Sequence, residues 1–396
     1  MSLKNKMLKL IKNAEVYAPE YLGKNDVLIT ADKIGYIQDN IEIGKQIEIE
    51  MINAEGKLLV PGFIDSHVHI LGGGGEGGYK TRTPEIMLSD ITRAGVTTVV
   101  GCLGTDSATR SMNGLIAKAR ALEEEGITCY VYSGSYQVPI RTITGSIQDD
   151  LILIDKVIGV GEIALSDHRS SQPTIEEIAK IAAAARVGGM LSGKAGVVIV
   201  HLGDGDRKLS ILEKVINDTE IPVTQFIPTH VERNMDLFKS AMAYAKKGGL
   251  IDLTTSTAAG KISEERDLSC GELLKKILNN GISIENISFS SDGQGSLPIF
   301  DEQGNYIRLG VGEVISLFNE VKDAVKHKGI SLETALKVIT SNPARNLKLN
   351  NKGKIEVGKD ADFVLLDDDL EIDTVIAGGQ IMVRAMKIMV KGTFEN

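Results

Sequence analysis

The chain has 396 residues, 42% of them hydrophobic, and a formal net charge of −9 at pH 7. This length accommodates one large and one small structural unit. The acidic balance argues against a nucleic-acid partner, which requires a basic surface. No apolar run approaches the roughly 20 residues that span a bilayer, and the N-terminal segment lacks the apolar core of a signal peptide. We therefore expect an enzyme that acts neither on nucleic acid nor at a membrane.

The three cysteines, Cys102, Cys129 and Cys270, are far apart in the sequence, and none belongs to a metal-binding CxxC pair. Their odd number and wide spacing are typical of a reducing compartment in which thiols are buried as small apolar side chains. We expect a cytoplasmic protein.

In chain order, residues 1–57 hold three candidate strand regions, KLIKNAEVYAP, DVLITADKIGYIQ and QIEIEMINAEG. Residues 350–396 hold three more, DADFVLLD, TVIAGGQIMVRAM and KIMVKG. Neither end is long enough for a core of its own. We expect the two ends to pair in one small β-sandwich domain.

Between them, residues 58–349 alternate apolar β-rich runs with helical stretches, starting with KLLVPGFID and PEIMLSDITRAG. The runs lack strict polar–apolar alternation, which indicates strands buried on both faces of a parallel sheet. About eight strand–helix units fit this length, which is the size of a closed barrel. The sequence predicts an α/β fold, a TIM-like (β/α)8 catalytic barrel, with a doubly wound open sheet as the alternative.

Five of the six histidines stand at or just past the end of a predicted barrel strand, where such barrels carry catalytic groups. His67 and His69 are two apart on one strand, so both face the same side and can share a divalent cation. His201 and His230 are one β/α unit apart, which predicts neighbouring strand ends. His327 lies in a charged helix end and is expected to be solvated.

Two acidic residues also end β-rich runs. Asp292, in ISFSSDGQGS, can bind metal and accept a proton from a metal-bound water; an Asx-turn is the alternative. Glu162, in VIGVGEIALSDHR, can bridge two metals with its two oxygens; a surface glutamate is the alternative. Two metals roughly 3.5–4 Å apart would hold a bridging hydroxide as nucleophile. Asp292 would then pass its proton to the leaving amine.

The chain resembles the amidohydrolase superfamily in the order of its candidate ligands. That order is an HxH pair, a mid-barrel carboxylate, two later histidines and a final aspartate. GKIEVGKDADFVLLD resembles its return to the small domain, and SNPARNLKL resembles its last barrel helix. Within the superfamily the chain is similar to the isoaspartyl (β-aspartyl) dipeptidases. The segments that carry this similarity are GGGGEGGYKTRTPE, GCLGTD, SYQVPIRTITGSI, ALSDHRSSQPT, HLGDG, PTHVERN and SSDGQGS.

The resemblance implies a centre of two zinc ions per subunit. The implied ligands are His67, His69, His201, His230 and Asp292, the last also as general acid/base. Glu162 departs from the family, because it occupies the place of a carboxylated lysine that bridges the metals. Glutamate supplies a bridging carboxylate without CO2 but is shorter, which predicts a different metal spacing or weaker binding of one metal. Two metals per subunit are still expected.

For the substrate, the resemblance implies that Glu76 faces an α-amino group and that Arg169 and Arg233 clamp carboxylates. Tyr136, on a mobile loop, would donate to the oxyanion. An isoaspartyl dipeptide carries one ammonium and two carboxylates, and arginine suits carboxylates better than lysine. The remaining pocket residues implied by the resemblance are Thr105, Ser296 and the backbone of Gly74.

The glycine-rich stretch GGGGEGG would let backbone amides approach a small charged ligand. A phosphate-cradling loop is the alternative, but no Gly-Lys-Ser/Thr follows and a carboxylate stands where phosphate would be repelled. His168, beside Arg169, is expected to have a supporting or structural role at most.

The function predicted is metal-dependent hydrolysis of the isopeptide bond of β-aspartyl dipeptides. The alternatives are another amidohydrolase, such as a cyclic-imide hydrolase or an N-acyl amino acid deacylase, or a non-enzymatic amidohydrolase-like scaffold. Glu76 with the two arginines favours a free dipeptide, because a cyclic imide lacks the free ammonium. A scaffold would be expected to lack the ligand histidines. The resemblance also implies a homo-oligomer.

Overall fold

The structure is a computed structural model that describes residues 7–256, 268–300 and 306–395. Its strands are β1 (Leu8–Tyr17), β2 (Tyr21–Thr30), β3 (Lys33–Gln38), β4 (Glu50–Asn53), β5 (Leu58–Pro61), β6 (Phe63–Val68), β7 (Val96–Gly101), β8 (Thr128–Ser133), β9 (Val157–Leu165), β10 (Val197–Leu202), β11 (Phe226–Thr229), β12 (Ile251–Thr254), β13 (Ile287–Ser290), β14 (Ser296–Phe300), β15 (Tyr306–Val311), β16 (Phe363–Leu366), β17 (Ile372–Ala377), β18 (Gln380–Arg384) and β19 (Lys387–Ile388). Its α-helices are α1 (Leu88–Thr92), α2 (Met112–Glu124), α3 (Ile147–Leu153), α4 (Ile175–Ser192), α5 (Ser210–Asp218), α6 (Met235–Lys246), α7 (Cys270–Asn279), α8 (Ser316–Lys328), α9 (Leu332–Lys337) and α10 (Ser341–Asn346).

The central sheet follows the chain without reversal. Its six parallel strands run in the order β6-β7-β8-β9-β10-β11, and β12 pairs in parallel with β13. The ring closes where the backbone N–H of His69 donates to the carbonyl oxygen of Gly293 at 2.8 Å and Val68 forms a parallel bridge with Gly293. A doubly wound sheet would reverse its strand order, so the TIM-like barrel is confirmed.

The barrel strands are buried on both faces, as in a sheet covered by helices. All nine residues of β9 are buried, and so is every residue of β7 and β10. The helices between them carry their own start and stop signals. In α4, a capping box of Thr174 and Glu177 satisfies the first turn, and Gly193 ends the helix with a left-handed φ of 71°. In the described part of the chain, no helix has both the length and the apolarity to cross a membrane.

Strands from both chain ends form a second sheet of nine strands, ordered β19-β18-β17-β16-β5-β1-β2-β3, with β4 paired to β1. The two ends meet at β5, which pairs with β16 in antiparallel and with β1 in parallel orientation. Ile11, Val27 and Phe363 lie in an apolar core that belongs to this sheet. The small β-domain predicted from both ends is therefore present.

One predicted strand, in KLLVPGFID, is two strands in the structure. Leu58–Pro61 lies in the sheet of the chain ends, and Phe63–Val68 opens the barrel. Gly62 connects them at a point where a Cβ would lie 2.3 Å from Oγ1 of Thr97. The Pro61–Gly62 pair between them is a turn signal, but the sequence does not show that the segments on its two sides join different sheets. The division into 1–57, 58–349 and 350–396 stays a prediction.

Candidate metal and substrate site

The four histidines predicted as ligands lie together at the carboxyl ends of the barrel strands. The ring centroids of His67 and His69 are 5.4 Å apart, those of His67 and His230 are 5.4 Å apart, and those of His201 and His230 are 4.5 Å apart. All four side chains are buried. Residues up to 163 positions apart in sequence thus share one small volume, because parallel barrel strands bring all their carboxyl ends to one face.

Glu162 lies at the centre of this group and is fully buried, so it is not a surface glutamate. Its Oε2 is 3.1 Å from Nε2 of His67, whereas its Oε1 is 2.8 Å from Nδ1 of His201 and 3.2 Å from Nε2 of His230. Burial opposes ionisation, but the charges of His67 and His201 outweigh it and hold the pKa of Glu162 well below its usual range. The two oxygens of one carboxylate therefore face different histidines.

Asp292 completes the group from the loop after β13. Its Oδ1 is 2.9 Å from Nε2 of His69 and 3.6 Å from Nε2 of His67. Burial acts to raise its pKa, but the close, positively charged imidazole of His69 prevails and lowers the pKa of Asp292 to about 2. Gly295 leaves room for this carboxylate, because a Cβ there would lie 2.6 Å from Oδ1.

Two of these residues have strained backbones. His230 has a φ of 62° and Asp292 a φ of 53°. Residues with side chains rarely adopt this left-handed region, and those that do are enriched at functional sites. Thr254 helps to hold His230, with its Oγ1 2.7 Å from Nδ1, which leaves Nε2 facing Glu162.

The donor atoms fit a metal centre. Several are buried and have no hydrogen-bond partner among the described residues, namely Nδ1 and Nε2 of His67, Oε2 of Glu162 and Oδ1 of Asp292. Buried polar atoms almost always have a partner. Donor atoms of His67, His69 and Glu162 lie within 4.8 Å of one another, and so do those of Glu162, His201 and His230. Imidazole and carboxylate groups at this spacing suit divalent cations.

Tyr136 lies against His201, one of the four clustered histidines. Its Oη is 2.8 Å from Nδ1 of His201, and the residue is only 5% exposed. Burial, followed by the negative charge of Glu162, raises the pKa of Tyr136 well above its usual value. The phenol therefore keeps its proton and can donate a hydrogen bond at the centre of the site.

Glu76 and Thr105 form the outer part of the site. Oε1 of Glu76 accepts hydrogen bonds from Oγ1 of Thr105 at 2.8 Å and from Nη1 of Arg169 at 3.2 Å. Arg169 also reaches inward, with Nη2 3.2 Å from Nε2 of His201. One arginine thus connects the glycine-rich loop to the histidine group.

Gly74 and Ser296 lie next to each other in the loops beside Glu76. Gly74 has a φ of 69°, and a Cβ there would lie 2.7 Å from the carbonyl oxygen of Thr81 and 2.8 Å from Cβ of Ser296. No other residue fits this close approach without a backbone shift. The glycine-rich stretch therefore serves a tight packing of loops beside Glu76.

The two arginines differ in what they can still bind. Arg169 donates to both carboxylate oxygens of Asp167, from Nε at 2.9 Å and from Nη2 at 2.6 Å. Its bidentate edge is therefore occupied by the protein itself, and its role as a substrate clamp stays a prediction. In Arg233, Nη2 is 3.5 Å from Nε2 of His201, and the buried Nε has no partner among the described residues. Arg233 keeps a donor for an anion.

Sequence reasoning missed two residues of this site. Oδ2 of Asp167 is 3.0 Å from Nε2 of His201, and Sγ of Cys102 is 3.6 Å from Nδ1 of His69. Both follow the end of a barrel strand, as the predicted ligands do, and that position is the signal that could have found them.

The other two histidines lie outside the site. The His168 side chain is 88% exposed, with Nδ1 3.7 Å from Oδ1 of Asp167. It turns to solvent, because Asp167 and Arg169 on either side of it occupy the inner positions. His327 is exposed in the last turn of α8, as predicted.

A profile of the amidohydrolase family matches residues 58–382. The structure is similar to the crystal structure of a β-aspartyl dipeptidase from the thermophilic keratin-degrading Fervidobacterium islandicum AW-1 in complex with the β-Asp-Leu dipeptide. The two share 48% identity and a TM-score of 0.91, over 99% of this chain and 100% of that one. The predicted resemblance is confirmed.

More distant proteins share the architecture. A dihydropyrimidinase from Brevibacillus agri NCHU1002 is 18% identical with a TM-score of 0.68, over 98% of this chain and 97% of that one, which shows a common fold. An adenine deaminase from Clostridium perfringens (strain ATCC 13124) is 25% identical over 98% of this chain. The chain spans 61% of the length of that relative. Because the profile match extends from the barrel into the C-terminal strands, the chain belongs to the amidohydrolase family.

Proposed function

We propose that the protein is a metal-dependent hydrolase that cleaves the isopeptide bond of β-aspartyl dipeptides. The observation that carries the proposal is the position of Glu162, whose Oε2 faces His67 and whose Oε1 faces His201 and His230. A carboxylate placed in this way can join two divalent cations. The 48% identical dipeptidase in complex with β-Asp-Leu supports the substrate class.

We propose zinc, two ions per subunit, as the metal. His67, His69 and Asp292 would hold one ion, His201 and His230 the other, and Glu162 would lie between them. Metal ions bound in this way supply a water nucleophile near neutral pH and polarise the carbonyl under attack. Some catalytic zinc sites are built from histidine and carboxylate ligands alone, as this one would be.

Asp292 is the proposed general base and acid. Its pKa of about 2 keeps it ionised at neutral pH, so it can accept the proton of the attacking water. It then delivers that proton to the nitrogen of the leaving amino acid as the amide C–N bond breaks. Tyr136, protonated and buried, donates a hydrogen bond to the carbonyl oxygen as negative charge develops there.

The charges around the metal group match those of the substrate. Glu76 would take the ammonium, with Thr105 at 2.8 Å holding its carboxylate in place. Arg233 would bind a carboxylate through its free Nε, and arginine is the side chain best suited to that geometry. Arg169, held by Asp167, would contribute Nη1, while Gly74 and Ser296 would line the pocket.

The first expected result separates this function from its alternatives. The protein should hydrolyse β-Asp-Leu at least ~100-fold faster than α-Asp-Leu, because a site built around fixed charged partners discriminates strongly by geometry. Turnover should disappear after metal removal by a chelator and return with zinc, with two metals per subunit by elemental analysis. Equal turnover of both dipeptides, or full turnover of metal-free protein, contradicts the proposal.

Glu76→Gln distinguishes a free dipeptide from a substrate without an ammonium group. We expect kcat/KM for β-Asp-Leu to fall about 10–100-fold, because a charge-assisted hydrogen bond contributes roughly 1.5–3 kcal/mol. Glu85→Gln is a matched control in the same loop region, since Glu85 is exposed and pairs with Lys118. A Glu76→Gln enzyme with unchanged kcat/KM would favour a cyclic-imide hydrolase or an N-acyl amino acid deacylase.

We also propose a cytoplasmic location and a homo-oligomer. The three cysteines are free and buried, which suits a reducing compartment. The oligomer is supported by the family resemblance, and light scattering coupled to size-exclusion chromatography measures it directly.

A further inference from the structure

A buried polar cluster lies beside His230, and the proposed mechanism does not use it. Asp252 and Thr254 are two apart on β12, so their side chains point to one side of the strand, whereas Ile251 and Leu253 pack in the apolar core. Asp252 is only 2% exposed. Burying a carboxylate costs free energy unless hydrogen bonds compensate for it.

Three hydroxyl groups donate to this carboxylate. Its Oδ1 accepts from Oγ of Ser288 at 2.7 Å, and its Oδ2 accepts from Oγ1 of Thr229 at 2.9 Å and from Oγ of Ser290. Burial raises the pKa of Asp252 to about 6, although these hydroxyls act to lower it. The side chain is therefore ionised at neutral pH and can only accept hydrogen bonds.

Two of the hydroxyls in this cluster connect Asp252 to a proposed metal ligand. Oγ1 of Thr229 is 3.1 Å from Oγ1 of Thr254, which is 2.7 Å from Nδ1 of His230. Both threonines are buried. Asp252 thus reaches the imidazole of His230 through two hydroxyl groups in series.

The carboxylate fixes the direction of this chain, because each hydroxyl has one proton. Thr229 donates its proton to Asp252, so it can only accept from Thr254. Thr254 has then used its own proton, so its Oγ1 accepts from the ring. Nδ1 of His230 therefore carries the hydrogen, and Nε2, which lies 3.2 Å from Oε1 of Glu162, keeps its lone pair.

We propose that Asp252 is a positioning residue for the metal ion held by His201 and His230. Acting through Thr229 and Thr254, it holds His230 in the tautomer whose Nε2 can bind metal. Histidine ligands almost always donate their other ring N–H to an outer partner, which fixes the ring and raises its basicity. This inference rests on the proposed metal centre and is independent of the substrate.

His201, the other proposed histidine ligand of this ion, has a carboxylate beside it directly. Its Nε2 is 3.0 Å from Oδ2 of Asp167, while its Nδ1 is 2.8 Å from Oε1 of Glu162. Both imidazoles therefore have an outer carboxylate. It is in direct contact at His201 and is relayed by hydroxyls at His230.

The test measures the zinc affinity of the full-length protein by competition with a chelator of known affinity. Thr229→Val and Thr254→Val each remove one hydroxyl and keep nearly the same shape. We expect each to weaken the binding of one of the two zinc ions about 10–100-fold, the usual effect of losing an outer partner of a metal ligand. Thr229→Ser and Thr254→Ser retain the hydroxyl and should keep most of the wild-type affinity.

Thr255→Val is the matched control, because Thr255 is also buried and its hydroxyl bonds instead to the carbonyl oxygen of Ser290 at 3.2 Å and to Oγ of Ser316 at 2.8 Å. It should bind zinc as the wild type does. Wild-type zinc affinity in both Thr229→Val and Thr254→Val overturns the inference. An equal loss in Thr255→Val also overturns it, because loosened packing would then explain the effect.

The same samples separate this inference from the proposed function. Zinc-dependent hydrolysis of β-Asp-Leu by the wild type, with unchanged zinc affinity in the valine variants, leaves the proposed function standing and overturns the role of Asp252 alone. Wild-type protein that binds no zinc overturns both.

Neutron diffraction from crystals of the zinc-loaded wild type needs no variant. We expect a deuterium on Nδ1 of His230, the hydroxyl deuterium of Thr254 directed at Thr229, and that of Thr229 directed at Asp252. A Thr254 deuterium directed at Nδ1 of His230 would show that the ring nitrogen accepts, and it would overturn the inference.

Discussion

Asp292→Asn should lower kcat for β-Asp-Leu by about 10²–10⁴-fold, which is the usual contribution of a general acid or base. Asparagine keeps the shape of the side chain but can neither accept a proton from the attacking water nor return one to the leaving amine. The Oδ1 that lies 2.9 Å from His69 is preserved as an amide oxygen in one orientation of the new side chain. Steady-state kinetics with elemental analysis of the same sample measures both effects.

The control for this variant is Asp236→Asn, in the first turn of α6, where the aspartate side chain is 70% exposed. It should match the wild type in kcat, metal content and melting temperature. If Asp292→Asn retains its metals and turns over at the wild-type rate, Asp292 is not the general acid/base. A loss of activity with a lowered melting temperature would indicate unfolding, so both variants are compared at the same temperature well below unfolding.

Glu162→Gln should reduce the metal content from two ions per subunit to one or none and lower kcat by at least about 10³-fold. Metal binding contributes several kcal/mol to the transition state, and each 1.36 kcal/mol corresponds to a factor of about ten in rate. Glutamine replaces the carboxylate with an uncharged amide oxygen and an NH2 group that can only donate hydrogen bonds. That NH2 would face His67 or the pair His201 and His230, all within 3.2 Å of the native carboxylate oxygens.

Metal content separates the two variants, since Asp292→Asn is expected to keep both ions through the four histidines and Glu162, whereas Glu162→Gln keeps one or none. Glu176→Gln is a suitable comparison for Glu162→Gln, because Glu176 is exposed in the first turn of α4. Glu162→Gln protein that still binds two zinc ions and turns over normally would show that Glu162 does not bridge them.

The fold was largely predictable because its signals are local and repeated. Apolar runs separated by amphipathic helices predict a parallel barrel, and β9, whose nine residues are all buried, is the run VIGVGEIAL itself. The break between β5 and β6 has a local signal in the Pro61–Gly62 pair, but the separation of the two strands into different sheets was not predictable. Which sheet an apolar segment joins depends on the strands that pair with it. Here these are β16 and β7, whose paired residues lie 302–308 and 33–34 positions away in the sequence.

The positions of the site residues were predictable for the same reason, and their partners were not. The sequence by itself determined that His67 and His69 face one side and that four histidines, Glu162 and Asp292 stand at strand ends, because side-chain period and barrel topology dictate this. Only the tertiary structure decided that Arg169 pairs with Asp167, that Arg233 keeps a free donor and that Asp252 reaches His230 through two hydroxyls. The contacts of a long or small side chain depend on loops packed from several strands, and no local pattern in the chain records that packing.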